Sequence, residues 1–181
     1  MQQIAAEEWT PQLRDLWDRV DRHDFEAAGP FDFTRCLARD KGWTLPFTRL
    51  GILEYRRFCF IAITGSNPAT PREEVDEVWH QHLTYSRDYW NVSCKTVLHS
   101  PLHHDPTTGG PAEQARFREQ YASTLARYES FFGPPSELFW PATHERFGRL
   151  PRFRTLDSRR QIALPRPMAL WRCLGFRDTV A

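Results

Sequence analysis

Two short segments of the sequence concentrate side chains that are able to bind a metal ion. The first, EEVDEVWHQHLTYSRDYW, contains His80 and His82, and the second, LHSPLHHDPTTGG, contains His103 and His104. The whole chain has seven histidines, so these two segments hold more than half of them. Imidazole, together with carboxylate, suits zinc, iron or copper. The pattern therefore indicates a site for a divalent transition metal.

The spacing of His80 and His82 in the first segment places the two side chains on different faces of the predicted helix. Asp76 lies one helical turn before His80, so the carboxylate and the imidazole can contact each other or bind one ion. Each residue of a helix advances by about 100°, which puts His82 on an apolar stripe with Trp79 and Tyr89. We therefore expect His82 to be buried and hydrogen-bonded. Residues two apart do not share a helix face, so His80 and His82 bind one ion only where the helix is distorted.

These observations predict a site at the point where the helix meets the histidine-containing loop. The predicted ligands are Asp76, His80, His82, His103 and His104, with Asp105 as a further carboxylate. A helix provides rigid ligands, and the loop completes the coordination sphere while one position stays open for water or substrate. Such a site suits a small metal-dependent enzyme, although no motif in the chain identifies its reaction or substrate.

A structural role for the same residues is the main alternative. In that interpretation His82 is a core histidine, Asp76 and His80 form an ion pair, and the chain is a non-catalytic scaffold or interaction domain. A nucleophilic Cys94 assisted by His99 is a further alternative, and it is disfavoured because buried structural cysteines are commoner.

The remaining histidines are secondary candidates. His99 and His144 are reserve metal ligands. His23 stands at the end of a predicted helix, where we expect it to be exposed.

Composition limits the class of protein. A chain of 181 residues with a net charge of +1 is long enough for one domain and has no excess charge for nucleic acid or a membrane surface. The longest apolar run, FCFIAIT, is far shorter than the roughly 20 residues of a membrane span. No secretory signal is visible, and the four cysteines are scattered, so we expect reduced thiols and a cytoplasmic protein. The expected partner is a small molecule or another protein.

Periodicity and capping residues predict a mainly α-helical fold with a single domain over residues 1–181. About five helices are predicted, at 11–23, 30–42, 46–65, 70–91 and 112–132. The run FCFIAIT is assigned to the third helix. Thr70, Pro71 and Glu73 are typical of a capping box and predict the start of the fourth. Residues 145–181 carry nine arginines with interrupting prolines and predict an irregular tail.

The segments LEYRRFCFIAITG, ATPREEVDEVWHQHLTYSRDYW and LHHDPTTGG resemble the glycine-rich domain-containing protein-like family, in particular its short bacterial members. The resemblance covers about residues 45–140, and the chain lacks the glycine-rich tail of the plant members. The positions that match the family pattern are Pro71, Asp76, Trp79, His80, His82, Leu83 and Tyr89. The resemblance implies that Asp76, His80 and His82 belong to a family motif, but it brings no settled activity.

Overall fold

The computed structural model of the protein describes residues 9–28, 32–105 and 110–148. Seven α-helices lie in these ranges, together with a 3-10 turn at Phe25–Ala28 and a π-helix at Tyr89–Val97. The helices are α1 Pro11–Arg22, α2 Phe33–Lys41, α3 Leu45–Thr64, α4 Glu73–Thr84, α5 Ser86–Asp88, α6 Pro111–Phe132 and α7 Thr143–Gly148. The described residues contain no strand. The mainly α-helical prediction is confirmed, with more helices in these ranges than the five expected, and with α2 and α4 shorter than predicted.

Helix α3 is the centre of the packing. It contacts α1, α2, α4 and α6, and it buries large side chains that include Tyr55, Phe58 and Phe60. The run FCFIAIT forms its last two turns, so the helical assignment of that run is confirmed. Burial on several sides explains why the run is apolar without forming a strand. None of the helices in the described ranges has the length and apolar character that a membrane span requires.

Several helix ends follow the capping residues of the sequence. The hydroxyl of Thr10 and the carboxylate of Asp32 accept hydrogen bonds from backbone N–H groups in the first turns of α1 and α2. Gly42 ends α2 with a φ of 64°, a left-handed conformation that glycine adopts without strain. Gly133 ends α6, also with a positive φ.

The start and end of α4 differ from the prediction. The helix begins at Glu73 after Arg72, with no side-chain cap, so the capping box at Thr70 is wrong. The Thr70 hydroxyl donates to Gln120 and its backbone N–H donates to Thr124, both on α6. Thr70, which was expected to cap α4, therefore forms hydrogen bonds with α6 instead. The helix ends at Thr84 rather than near residue 91.

A π-helix, in which each turn is wider than in an α-helix, follows α4 and α5. After it the chain turns back toward α4. After the short α5, the π-helix closes with a hydrogen bond of 2.8 Å from Leu98 N to Ser93 O, five residues back. His99 then has a φ of 54°, which turns the chain. The next residues run back to α4, where His104 contacts Asp76.

The C-terminal prediction is tested over only a few residues. The described residues all lie in one compact unit, and α7 extends the helical structure to Gly148. Residues 145–148 of the predicted tail therefore belong to a helix. The rest of the arginine-rich tail, 149–181, lies outside the described residues.

Candidate metal centre

Three side chains from α4 and the returning segment converge on one point. His104 Nε2 lies 2.9 Å from Asp76 Oδ1 and 2.9 Å from His80 Nε2. His80 Nε2 also lies 3.5 Å from the other carboxylate oxygen, Asp76 Oδ2. The helix brings Asp76 and His80 together because they are four residues apart. The structure thus brings together three of the five predicted ligands.

The two contacts of His104 Nε2 cannot both be ordinary hydrogen bonds. Each ring nitrogen of imidazole forms hydrogen bonds in a single direction, within the plane of the ring. It has either one proton or one lone pair in that direction. If His104 Nε2–H donates to Asp76, the same nitrogen cannot also accept from His80, and it could donate to both groups only through a shared, three-centre hydrogen bond. A cation between these three side chains would instead be bound by both ring nitrogens and the carboxylate at once.

The separations among these side-chain atoms are close to those between the ligand atoms of a transition metal. Two ligand atoms that each lie about 2.0–2.1 Å from zinc are roughly 3.3 Å apart in a tetrahedron and roughly 3.0 Å apart as neighbours in an octahedron. The three observed separations run from 2.9 to 3.5 Å. Adjustments of a few tenths of an ångström would produce either geometry.

A buried hydrogen-bond chain supports the segment that carries His104. Trp79 Nε1 donates to the Tyr89 hydroxyl at 2.8 Å, and that hydroxyl donates to the backbone oxygen of Leu102. The Trp79 ring also meets the His104 ring edge-on, with 4.5 Å between centroids. Trp79 of α4 and Tyr89 of the π-helix therefore position His104, which follows His80 by 24 residues.

His103 lies outside this cluster. Its ring packs against Trp90 at 5.6 Å between centroids, and its side chain is exposed. It lines the neighbouring pocket together with Asp105. Of the histidine pair in the loop, only His104 reaches Asp76 and His80.

The cluster opens into a pocket of about 440 Å³ between α4, the returning segment and α6 with α7. Asp76 and His104 form part of its wall, and the aromatic rings of Trp79, Phe117 and Phe147 form another part. Two arginines, Arg116 and Arg146, also line it. Sequence patterns did not assign these arginines to a site, because they come from helices distant in the chain.

His82 belongs to a second, fully buried cluster. Its Nε2 lies 2.7 Å from Asp88 Oδ2, and the same oxygen lies 3.0 Å from His23 Nε2. Its Nδ1 lies 3.0 Å from the Tyr55 hydroxyl. The predicted burial and hydrogen bonding of His82 are confirmed, since none of its surface is exposed.

Electrostatics fix the protons in this second cluster. Burial raises the pKa of Tyr55 well above its ordinary value, so its hydroxyl stays protonated and can donate to His82 Nδ1. His82 Nε2–H then donates to Asp88. Burial lowers the pKa of His82, partly offset by Asp88. Burial acts to raise the pKa of Asp88, but the hydrogen bonds of His23 and His82 outweigh it and hold that pKa well below its ordinary value.

Ordinary hydrogen bonds therefore account for every contact in the His82 cluster described above. The cluster of His80 differs in this respect. His82 lies apart from the other predicted ligands, although both clusters have a ligand-like set of atoms. The expectation that His23 is exposed is wrong, because it pairs with Asp88 from 65 residues away and is 8% exposed. Neither His23 nor Asp88 was predicted as part of a site, since no local pattern connects them.

The nucleophile alternative finds little support in the geometry. Burial raises the pKa of the Cys94 thiol, which keeps it protonated and unreactive. His99 is exposed, as is His144 on α7. Neither belongs to the two clusters found among the described residues.

Fold and site together define a mainly α-helical protein with a histidine–carboxylate cluster at a pocket. Comparisons of the chain with protein-family models, with curated proteins and with solved structures give no match. The resemblance to the glycine-rich domain-containing protein-like family stays a prediction.

Proposed function

We propose that the protein binds one divalent transition-metal ion through Asp76, His80 and His104, and that it is a small metal-dependent enzyme. The observation that carries the proposal is the position of His104 Nε2, 2.9 Å from both the carboxylate and the second imidazole. One proton would have to be shared between the two contacts in a three-centre hydrogen bond, whereas one cation can be bound by all three groups at full strength.

Two imidazoles and one carboxylate favour zinc or iron(II) among the metals considered. Three protein ligands leave coordination positions open, as catalytic zinc sites and non-haem iron(II) sites require. The bound ion would act as a Lewis acid or activate a water molecule at those positions. The adjacent pocket would hold the substrate.

The cluster has features that distinguish it from a structural ion pair. The side chains of His80 and Asp76 are 49% and 32% exposed, so a ligand can reach them from solvent. The buried cluster of His82, in contrast, has its hydrogen bonds made within the protein. We propose that the Trp-His-x-His motif combines one metal ligand, His80, with one structural histidine, His82.

The scaffold alternative remains a distinct hypothesis with a specific observation in its favour. Both Trp79 and His82 are core residues, as that interpretation requires. It predicts, however, that Asp76, His80 and His104 serve only as a polar surface network. Removal of His104 would then change no binding property of the protein.

Calorimetric titration of chelator-treated, tag-free protein with Zn²⁺ tests the proposal. We expect one equivalent to bind to the wild type, and Asp76→Asn and His104→Ala to weaken binding at least about tenfold each. His144→Ala is the matched control, because that histidine is exposed and outside the cluster. Binding that is equal in wild type and His104→Ala would contradict the proposal.

A further inference from the structure

The pocket beside the proposed metal centre has an unusual balance of charge. Three carboxylates line it, from Glu73, Asp76 and Asp105, and so do two guanidinium groups, from Arg116 and Arg146. With neutral histidines the lining has a formal charge of minus one. A divalent cation at Asp76 would change this charge to plus one, which would attract an anion into the pocket.

Arg146 has hydrogen-bonding capacity that the protein does not use. Its Nε and Nη1 atoms are buried and have no hydrogen-bond partner among the described residues. Glu73, whose carboxylate also lines the pocket, forms an ion pair with Arg72, with 3.3 Å between Oε2 and Nε. Two buried guanidinium nitrogens without hydrogen bonds are costly, so an oxyanion that reached them would relieve an unfavourable arrangement.

Aromatic rings hold Arg146 in place. Its guanidinium carbon lies 4.2 Å from the centre of the Tyr121 ring and 5.1 Å from that of Phe147. Burial lowers the pKa of Arg146, while the charges of Glu73 and Asp76 act in the opposite direction. The side chain is therefore a stacked cation, an arrangement that proteins use to bind planar carboxylates.

We propose that this pocket binds a small carboxylic acid with an apolar body, a proposal that rests on the metal centre proposed above. Its carboxylate contacts Arg146, and its apolar body packs against Trp79 and Phe117. Asp76 and His104 form part of the same pocket wall. The substrate of the metal-dependent reaction therefore belongs to the class of small organic acids.

The other arginine of the pocket contributes less. Arg116 already pairs with Glu113 at 3.1 Å, and its side chain is 60% exposed. Its charge is therefore screened by solvent and partly neutralised. Arg146 is the residue on which anion binding depends.

Benzoate is a suitable probe, because it combines a carboxylate with a flat apolar ring. We would titrate it into zinc-loaded, full-length protein, with benzyl alcohol as an uncharged analogue and inorganic phosphate as a second anion. Arg146→Gln should weaken benzoate binding at least about tenfold. Arg118→Gln is the matched control: Arg118 also stacks on Phe147, at 5.3 Å, but it is exposed and absent from the pocket lining.

Arg146→Lys covers the case in which the Gln variant does not fold, because it keeps the charge and loses the planar guanidinium. Its affinity for benzoate should lie between those of the wild type and the Gln variant. We expect benzyl alcohol not to bind, and Arg118→Gln to match the wild type.

Benzoate binding that persists unchanged in both Arg146 variants would overturn the inference. So would a failure of benzoate to bind the zinc-loaded wild type at concentrations on the order of 10 mM. Tighter binding of phosphate than of benzoate would overturn the choice of a carboxylic acid. Zinc content is measured in every sample, so a failure of the metal centre is seen separately from a failure of anion binding.

Discussion

His80 and His82 are two positions apart on α4, yet their Nε2 atoms belong to two different clusters. Two helical residues at this spacing point about 200° apart. His80 Nε2 lies 2.9 Å from His104, in a half-exposed group beside the pocket. His82 Nε2 lies 2.7 Å from Asp88, in a buried group. One short motif thus places one histidine beside the pocket and the other in the buried interior.

His82→Ala should destabilise the protein strongly. The change leaves the buried Asp88 carboxylate and the Tyr55 hydroxyl without one partner each, which costs roughly 2–4 kcal/mol of unfolding free energy. We expect thermal denaturation to show a melting temperature lower by roughly 5–15 °C.

His80→Ala, measured in metal-free protein, is the control for this change. The His80 side chain is 49% exposed, so we expect the free energy of unfolding to change by no more than about 0.5 kcal/mol. Equal melting temperatures for the two variants would contradict the division of roles.

The free energy of unfolding should decrease as the pH falls below the ordinary pKa of histidine. Burial lowers the pKa of His82 in the folded protein, whereas the unfolded value is ordinary, about 6.5. Below that pH the unfolded chain binds a proton that folded His82 does not. This group then removes at most about 1.4 kcal/mol of unfolding free energy per pH unit.

His82→Gln isolates that contribution. Glutamine offers a carbonyl acceptor for Tyr55 and an N–H donor for Asp88, but it does not titrate. Denaturant unfolding in the presence of a chelator, between pH 7 and 5, should give a shallower pH dependence for the variant. Identical slopes would show that His82 does not provide the effect.

Trp79→Phe should weaken metal binding without unfolding the protein. The variant keeps an aromatic ring in the core and loses the indole N–H that donates to Tyr89. Since Trp79 and Tyr89 position the His104 segment, zinc affinity should fall by about 10-fold or more. Trp90→Phe is the control, because Trp90 is 42% exposed and contacts His103. Unchanged affinity in both variants would remove Trp79 from the support of the site.

Substitutions of the adjacent loop histidines, His103 and His104, should differ sharply in their effect on zinc affinity. His103→Ala removes an exposed side chain outside the cluster, so zinc affinity should stay within about twofold of the wild type. His104→Ala removes a proposed ligand, and calorimetry should show a loss of at least about tenfold. A larger loss from His103→Ala would mean that the loop presents the other histidine to the metal.

Local features of the sequence that act within one helix were predictable. The 100° rotation per residue was enough to place His82 inside, because Trp79 shares its stripe within α4. The pairing of Asp76 with His80 follows from their spacing alone. Helix α3 was identifiable through FCFIAIT because a long, continuous pattern outweighs the β-branched character of its end.

Features that depend on distant partners were not predictable. Thr70 has the sequence context of a helix cap, but its hydroxyl donates to Gln120 across the core. His23 looked like an exposed residue at a helix end, whereas Asp88 holds it in the interior. Nothing local to Arg146 indicated that it would line the pocket. For Thr70 and His23 the decisive contact joins residues 50 and 65 positions apart, which single-segment patterns do not encode.

The most direct measurement is elemental analysis of tag-free protein, wild type beside the double variant His80→Ala, His104→Ala. The proposed centre predicts about one equivalent of zinc or iron in the wild type after exposure to the metal and desalting, and none in the double variant, with folding checked by circular dichroism. Stoichiometric metal that survives the double substitution would place the site elsewhere. A wild type that retains no metal would contradict the account and favour the scaffold alternative.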